Sequence, residues 1–150
     1  ELAVRRLRRS GCTTIDLRSG PRDIIEQMSD MGPEDALLAF GFRTMPRHLG
    51  VVLDIATEKA AAIVAITDVL TPEIARPDAR ILSASRGRAG SYQTLTVPLT
   101  IVEALSVAVA TLCPERATDA LDRVDALAKR FEQNSSHRSP SQPSGKAKGG

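Results

Sequence analysis

Residues suited to binding an anion are concentrated in segment 41–44, which reads Gly-Phe-Arg-Thr. Pro46 follows at a position that the first turn of a helix tolerates, so the segment is predicted to lead into a helix. The N–H groups and the dipole at a helix N-terminus hold anions, and Arg43 would add a guanidinium fork that suits phosphate. A surface arginine that caps a neighbouring carbonyl group is an equally good interpretation of Arg43.

Four other polar side chains have both a chemical and a structural interpretation. Asp68 ends an apolar run, where it would orient a ligand hydroxyl or, more simply, cap the next turn. Glu103 lies within an apolar helix, where it would be a base with a raised pKa, pair with a partner chain or reach solvent. His48 has no second His or Cys at metal-ligand spacing, and no His is arranged near Cys12 in a recognisable pattern. We therefore assign no catalytic residue, no metal ligand and no cofactor.

The elements that must position these residues alternate between short apolar runs and helical patterns. Strands are predicted at 12–17, 36–40, 62–68 and 79–84. Helices are predicted at 2–9, 23–31, 46–59, 72–75, 95–112 and 115–133. Strands separated by helices pair in parallel through right-handed crossovers, which predicts an α/β fold: a three-layer sandwich with a parallel sheet. The continuous apolar run at 36–40 is typical of a strand that is buried on both faces.

Ligands of open α/β sheets bind beyond the carboxyl ends of the strands. This rule selects segment 41–44, the pair Thr67-Asp68 and the Gly/Arg/Ser loop 83–91. The sequence contains none of the patterns GxGxxG, Walker A, GxSxG or HExxH, which would indicate a nucleotide site, a serine nucleophile or a metalloprotease.

Composition limits the classes of partner. The 150 residues are enough for one domain, and the net charge of +2 gives no global field that demands nucleic acid or an anionic membrane. Three Phe, one Tyr and no Trp argue against base-stacking platforms. Two cysteines form neither a disulfide framework nor a four-ligand zinc site, so a reducing, cytoplasmic location is expected.

The two ends of the chain differ in character. The start reads like the middle of a helix and contains no signal peptide, so we expect that the chain has been cut there. Four of its first nine residues are arginines, which would form a phosphate-binding stripe or, as we prefer, a solvated helix face. Residues 134–150 are rich in Ser, Pro, Gly and Lys and contain no acidic residue. A folded domain at 1–133 is therefore predicted to precede a disordered basic tail at 134–150.

The apolar helix predicted at 95–112 has two interpretations that are about equally good. Pro98 and Glu103 interrupt it too much for a membrane span. It would therefore either pack in the core or form the surface through which two copies of the chain associate.

Two stretches carry a resemblance to a known family. Residues 35–49 read DALLAFGFRTMPRHL, and residues 62–68 read AIVAITD. Their order and spacing resemble the sugar isomerase (SIS) domain of RpiR/MurR-type bacterial transcriptional regulators, over about residues 2–112. In that family a helix-turn-helix domain precedes an SIS domain, which has a flavodoxin-like sheet and senses a phosphosugar.

The resemblance also implies what this chain lacks. The family places the first strand of the sheet between the strands predicted here at 13–17 and 37–40, so that strand and the DNA-binding domain are expected upstream of Glu1. The phosphate loop of the family, S-x-S-G-x-T, falls on this chain without its serines and its final threonine. A bound anion would therefore rely on backbone amides, Arg43 and Thr44. Thr94 falls near a position where the family often has serine, which implies that it lines the same pocket.

The function implied is a phosphosugar-sensing, dimerising effector domain of a DNA-binding transcriptional regulator. Its partners would be the phosphosugar, a second copy in a homodimer or higher oligomer, and DNA through the helix-turn-helix domain, with no membrane partner. The alternatives are an aldose–ketose phosphosugar isomerase with Glu103 as its base, and a degenerate SIS domain kept only for dimerisation. The predicted effector-binding residues are Gly41, Phe42, Arg43, Thr44, Thr67, Asp68 and Thr94.

Overall fold

The sheet at the centre of the protein is parallel, as predicted. The computed structural model describes residues 1–18, 20–43, 45–88, 90 and 92–136. Within them the elements are α1 (Leu2–Arg9), α2 (Pro21–Ser29), β1 (Ala36–Gly41), α3 (Leu49–Glu58), β2 (Ala62–Thr67), β3 (Ala79–Ser83), α4 (Thr96–Leu112) and α5 (Pro114–Ser136). β1 pairs with β2, and β2 pairs with β3, both in parallel. The predicted α/β fold is therefore confirmed.

Helices α2 and α3 cover one face of the sheet, and that face is closed. Side chains of a strand alternate between its two faces, so every second residue of β1 and β2 points to this side. The buried residues there are Met28, Leu37, Ala39, Leu49, Val52, Leu53, Ala56, Ala61, Ile63, Ala65 and Ile74. This cluster is the main hydrophobic core.

Helices α1 and α4 lie on the opposite face, which makes the third layer of the sandwich and is less fully covered. Ile66 of β2 and Val102 of α4 are buried there, and Leu38 and Phe42 are half-buried beside them. Phe40 of β1 remains 37% exposed. The prediction that β1 is buried on both faces is therefore wrong, because a groove remains open between Phe40 and the two helices.

The strand predicted at 12–17 does not form. Arg8 donates hydrogen bonds to the hydroxyl and the carbonyl oxygen of Thr14, and Leu17 packs against the core under α2 and α3. β1 lies at an edge of the sheet, and no strand in the described residues lies between it and segment 12–17. Without a neighbouring strand, an extended segment has no ladder of hydrogen bonds to hold it in the sheet.

Two predicted helix positions also differ from the structure. α3 begins at Leu49, after a turn in which the Leu49 N–H donates to the carbonyl of Pro46, so Pro46 precedes the helix and is not in its first turn. Segment 72–75 is a hydrogen-bonded turn on the carbonyl of Thr71, and not a helix. Pro77 follows the segment and has no N–H group, so it cannot continue a helical ladder.

The last helix extends further than the sequence pattern predicted. α5 continues to Ser136, so the first residues of the predicted tail are helical. The rest of that tail, 137–150, lies outside the described residues. Among the described residues no single helix is long and apolar enough to cross a membrane; α4 and α5 would meet the length and composition only as a pair, with a bend of 108° between them.

Gly11 fixes the position of α5 against α1. Its φ of +86° ends α1 in the left-handed conformation that glycine adopts without strain. A Cβ atom at this position would lie 2.7 Å from the carbonyl oxygen of Arg116, which is a backbone atom of α5. The Arg116 guanidinium also donates to the carbonyl of Gly11. The absence of a side chain therefore allows the two helices to approach closely.

Candidate functional site

The segments selected by the strand-end rule meet at one edge of the sheet. In the parallel register Gly41 lies opposite Thr67, and Thr67 lies opposite Ser83. The residues that follow these three positions therefore form a single rim, built from Phe42 and Arg43, from Asp68, and from the loop that contains Arg86.

Asp68 and Arg86 form the centre of this rim. Arg86 Nε lies 2.8 Å from Asp68 Oδ2, and the side chains are only 14% and 13% exposed. Burial alone would raise the pKa of Asp68, but hydrogen bonds from the Arg86 guanidinium and from a backbone amide outweigh that effect, so its pKa lies below the ordinary carboxyl value. The carboxylate is thus held ionised in an ion pair, and its lowered pKa makes it a weak base.

Arg86 also contacts an aromatic ring. Its guanidinium carbon lies 4.6 Å from the centroid of the Phe42 ring, within the range of a cation–π interaction. The Phe42 ring lies 6.4 Å from that of Phe40. Arg86 therefore joins the polar rim to the apolar residues on the α1–α4 face.

The backbone of Arg43 is held by a hydrogen bond, whereas its side chain is exposed. Its φ is +49°, a left-handed conformation that an arginine rarely adopts, and its N–H donates to Asp68 Oδ1 at 2.9 Å. This amide is therefore already bound and is not free for an anion, contrary to the expectation for the loop. The exposed guanidinium group makes no hydrogen bond or ion pair within the part of the chain that the structure describes.

Gly41 and Thr67 serve the structure of the rim directly. A Cβ at Gly41 would lie 2.6 Å from Cδ1 of Ile74 and 2.8 Å from the sulfur of Met45, so a larger residue there would require the ends of these two side chains to move. The buried Thr67 hydroxyl donates to the carbonyl of Val69 and accepts from the Val69 N–H, which fixes the turn after β2. A role of either residue in binding an effector stays a prediction.

Thr94 lies at the same rim, beside the start of α4. Its N–H donates to the carbonyl of Arg86, and its hydroxyl oxygen accepts from the Thr96 N–H and pairs with the Thr96 hydroxyl. Thr94 thus satisfies an N-terminal amide of α4 and ties the Arg86 loop to that helix. Thr44 lies outside the described residues.

An apolar groove adjoins the rim on the α1–α4 face. It has a volume of about 190 Å³, and Phe42 forms the part of its wall nearest to Arg86. Its other lining residues are Glu1, Leu2, Ala3, Phe40, Leu95, Pro98, Leu99 and Val102. The ring of Phe42 therefore separates a polar rim from an apolar groove.

The remaining chemical candidates from the sequence are accounted for locally. Glu103 Oε1 lies 2.7 Å from Arg6 Nε, so this carboxylate forms an ion pair between α4 and α1. Arg8 donates to Thr14, so two of the four arginines of α1, Arg6 and Arg8, make contacts within the domain. His48 is an exposed residue that precedes α3. No group of three His, Cys, Asp or Glu side chains within the described residues is placed to hold a metal ion.

The fold is similar to that of a solved regulator domain. No family model matches the sequence, and no curated protein matches it. Among solved structures, the chain is similar to the sugar isomerase domain of the RpiR transcription factor from Sphaerobacter thermophilus, with a TM-score of 0.71 and 23% identity. The match covers 83% of this chain and 69% of that one. The chain has the fold of a sugar isomerase domain. The predicted resemblance is thereby confirmed at the level of the fold.

Arg86 is the residue of the rim that the sequence did not single out. The strand-end rule selected its loop, but a loop with two arginines, two glycines and three serines gave no reason to choose one of them. Its role depends on a contact with Asp68, eighteen positions earlier in the chain. The only signal in the sequence was that Arg86 closely follows the end of β3.

Proposed function

We propose that this domain binds a phosphorylated sugar at the rim and that the bound sugar regulates a linked DNA-binding domain. The observation that carries the proposal is the difference between Arg43 and Arg86 at the rim. Asp68 neutralises Arg86, whereas the exposed Arg43 guanidinium has no partner in the described part of the chain. A guanidinium group binds phosphate through two parallel hydrogen bonds, so Arg43 is the proposed phosphate ligand.

The sugar itself would lie between Asp68 and Phe42. An ionised carboxylate has about four acceptor sites, and contacts with Arg86 and the Arg43 amide leave Asp68 able to accept from a sugar hydroxyl. Phe42 offers an apolar surface beside it. Thr44 and Thr94 are the hydroxyl-bearing members of the proposed site, and Gly41 and Thr67 shape it.

The fold supports a regulatory role for this site. The similar solved domain belongs to a transcription factor. In such a role, an effector that binds one arrangement of the domain better than another shifts the population between them and thereby changes the affinity of the linked domain for DNA. The isomerase alternative needs a base, and Glu103, the residue considered for it, is paired with Arg6. Asp68, the carboxylate at the rim, has a lowered pKa because of Arg86 and is therefore a weak base.

The test is a binding titration with matched ligands and variants. We expect glucosamine 6-phosphate or another sugar phosphate to bind in calorimetry, and the unphosphorylated sugar to bind far more weakly. Arg43→Ala is expected to weaken binding by about 10-fold to 100-fold, the usual effect of losing a hydrogen bond between charged groups. Arg22→Ala is the control, because Arg22 is an exposed arginine of α2, on the far side of the sheet.

Four outcomes would contradict the proposal in whole or in part. Equal binding of phosphorylated and plain sugars would exclude a phosphate site. Equal loss in the Arg43 and Arg22 variants would exclude the rim. Conversion of ribose 5-phosphate or glucosamine 6-phosphate at an ordinary enzymatic rate would replace the regulatory role by an isomerase. No response to any phosphosugar would favour the second alternative, a domain kept for dimerisation.

A further inference from the structure

The groove beside the rim differs from the rim in the kind of ligand group that it can accept. Of its nine lining residues, eight are apolar and the ninth is Glu1. Apolar walls do not replace the water that solvates an anion, and a carboxylate repels one. A phosphate group is therefore excluded from the groove, whereas an apolar group gains free energy by leaving water there.

The first turn of α4, which forms one wall of the groove, keeps this apolar character. The N-terminus of a helix ordinarily presents unpaired amides, which attract anions. Here the Thr96 N–H donates to the hydroxyl oxygen of Thr94, and the Leu99 N–H donates to the carbonyl of Leu95. Pro98 has no N–H group. These three positions of the helix therefore offer no amide to a phosphate in the groove.

Two aromatic rings favour an aromatic occupant. The rings of Phe40 and Phe42 both line the groove, and they are tilted by 48° with their centroids 6.4 Å apart. Aromatic rings pack favourably on one another at centroid distances of about 4.5–7 Å, so a third ring can contact both. The groove has a volume of about 190 Å³, and an apolar cavity of about 150 Å³ is enough to hold benzene. A single phenyl ring therefore fits, and it would cover the exposed part of Phe40.

The groove and the proposed phosphate ligand are close enough to bind one small molecule. Phe42, which lines the groove, directly precedes Arg43, so their Cα atoms are about 3.8 Å apart. Asp68 lies between the two regions, because it binds both the Arg43 amide and the Arg86 guanidinium that contacts the Phe42 ring. A ligand with a phosphate at one end, hydroxyl groups in the middle and an aromatic ring at the other end matches this order.

We propose that the effector is a phosphorylated glycoside with an aromatic aglycone. Its phosphate binds Arg43, its sugar lies at Asp68, and its aglycone lies in the groove against Phe40 and Phe42. This inference rests on the proposed function of the rim and adds the class of substituent that the sugar phosphate carries.

A pair of ligands that differ only in the aglycone tests the inference. In calorimetry of the 150-residue chain, phenyl β-glucoside 6-phosphate is expected to bind about tenfold more tightly than methyl β-glucoside 6-phosphate. The reason is that the phenyl ring removes more apolar surface from water when it enters the groove.

A polar substitution in the wall of the groove tests the location. Leu99→Gln is expected to reduce the preference for the phenyl glycoside to about threefold or less and to leave the affinity for the methyl glycoside unchanged. Leu99 is 42% exposed, so the variant is expected to fold. Leu112→Gln is the matched control, because Leu112 is 80% exposed and lies about 20 Å further along the same helix. This control should keep the tenfold preference.

The outcomes separate the inference from the proposed function. Equal binding of the phenyl and methyl glycosides would overturn the aromatic aglycone and leave the phosphate site at the rim standing. A preference for the phenyl glycoside that is the same in Leu99→Gln and Leu112→Gln would overturn the groove as its location. Failure of both 6-phosphates to bind would overturn the proposed function, and the inference that rests on it would fall with it.

Discussion

The two faces of the sheet are stabilised in different ways. Under α2 and α3 the apolar side chains are almost completely buried, and Leu53, Ala56 and Ala65 have no exposed surface. Under α1 and α4 a groove remains, and Phe40, Leu95 and Leu99 keep much of their surface exposed. On that face the Asp68–Arg86 pair and its contact with Phe42 supply polar interactions beside the apolar ones. The closed face is therefore a core, and the open face is the one that borders the candidate site.

The largest difference between the faces should appear on truncating one leucine on each. Leu53→Ala is expected to lower the free energy of unfolding by about 2–5 kcal/mol, because it leaves a cavity in a closed core. Leu99→Ala in α4 should cost less than about 1 kcal/mol, because water already reaches this side chain. Urea unfolding measured by circular dichroism gives both values. Similar losses for the two variants would mean that the open face is as closed in solution as the other.

The sequence predicted the closed face better than the open one. The continuous apolar runs at 36–40 and 62–68, separated by a helical pattern, predicted the two strands and their parallel pairing, and they predicted burial of the closed face correctly. The exposure of Phe40 was not predictable, because a continuous apolar run such as 36–40 has the same sequence pattern whether helices cover one or both of its faces. The loss of the strand at 12–17 is similar, because strand formation depends on a neighbour and not on the segment alone.

The sequence predicted where the candidate site lies in the fold, but not the contacts that its residues make. The rule that ligands bind at strand ends placed Arg43 and Asp68 at one rim, where the structure has them. It did not indicate that the Arg43 amide binds the Asp68 carboxylate, or that Arg86 rather than another residue of its loop completes the pair. These contacts depend on the backbone geometry of three loops, which has no periodic signature in the sequence.

An intermediate effect is expected at the polar link of the open face. Asp68→Asn should cost about 1–3 kcal/mol, because it leaves the Arg86 guanidinium partly buried without its counter-charge. Glu26→Gln, which breaks the exposed pair with Arg22, should cost less than about 0.5 kcal/mol. Equal costs for the two variants in thermal or urea unfolding would show that the rim pair is no stronger than a surface pair.

The pH dependence of the same variant separates charge from shape. The pKa of Asp68 is lower in the folded protein than in the unfolded chain, so its ionisation stabilises the fold above the ordinary carboxyl pKa of about 3.9. That contribution is lost as the pH falls below this value toward the folded pKa. The difference in stability between the unchanged chain and Asp68→Asn should therefore be constant near neutral pH and shrink below about pH 4. A difference that is independent of pH would assign the cost of the substitution to packing.

The smallest expected effect is a gain in stability and not a loss, and it lies at Arg43, where β1 leads into the rim. Glycine adopts a φ of +49° without the steric cost that a side chain incurs, so Arg43→Gly should stabilise the fold by about 0.5 kcal/mol. Arg43→Ala keeps the Cβ atom and should give no gain. Both variants should lose affinity for a sugar phosphate, because both lack the guanidinium group. If Arg43→Gly stabilises the fold while it removes binding, the arginine is kept in a strained conformation for its charge and not for the fold. If Arg43→Gly and Arg43→Ala destabilise the fold equally, the Arg43 side chain contributes to the structure of the rim.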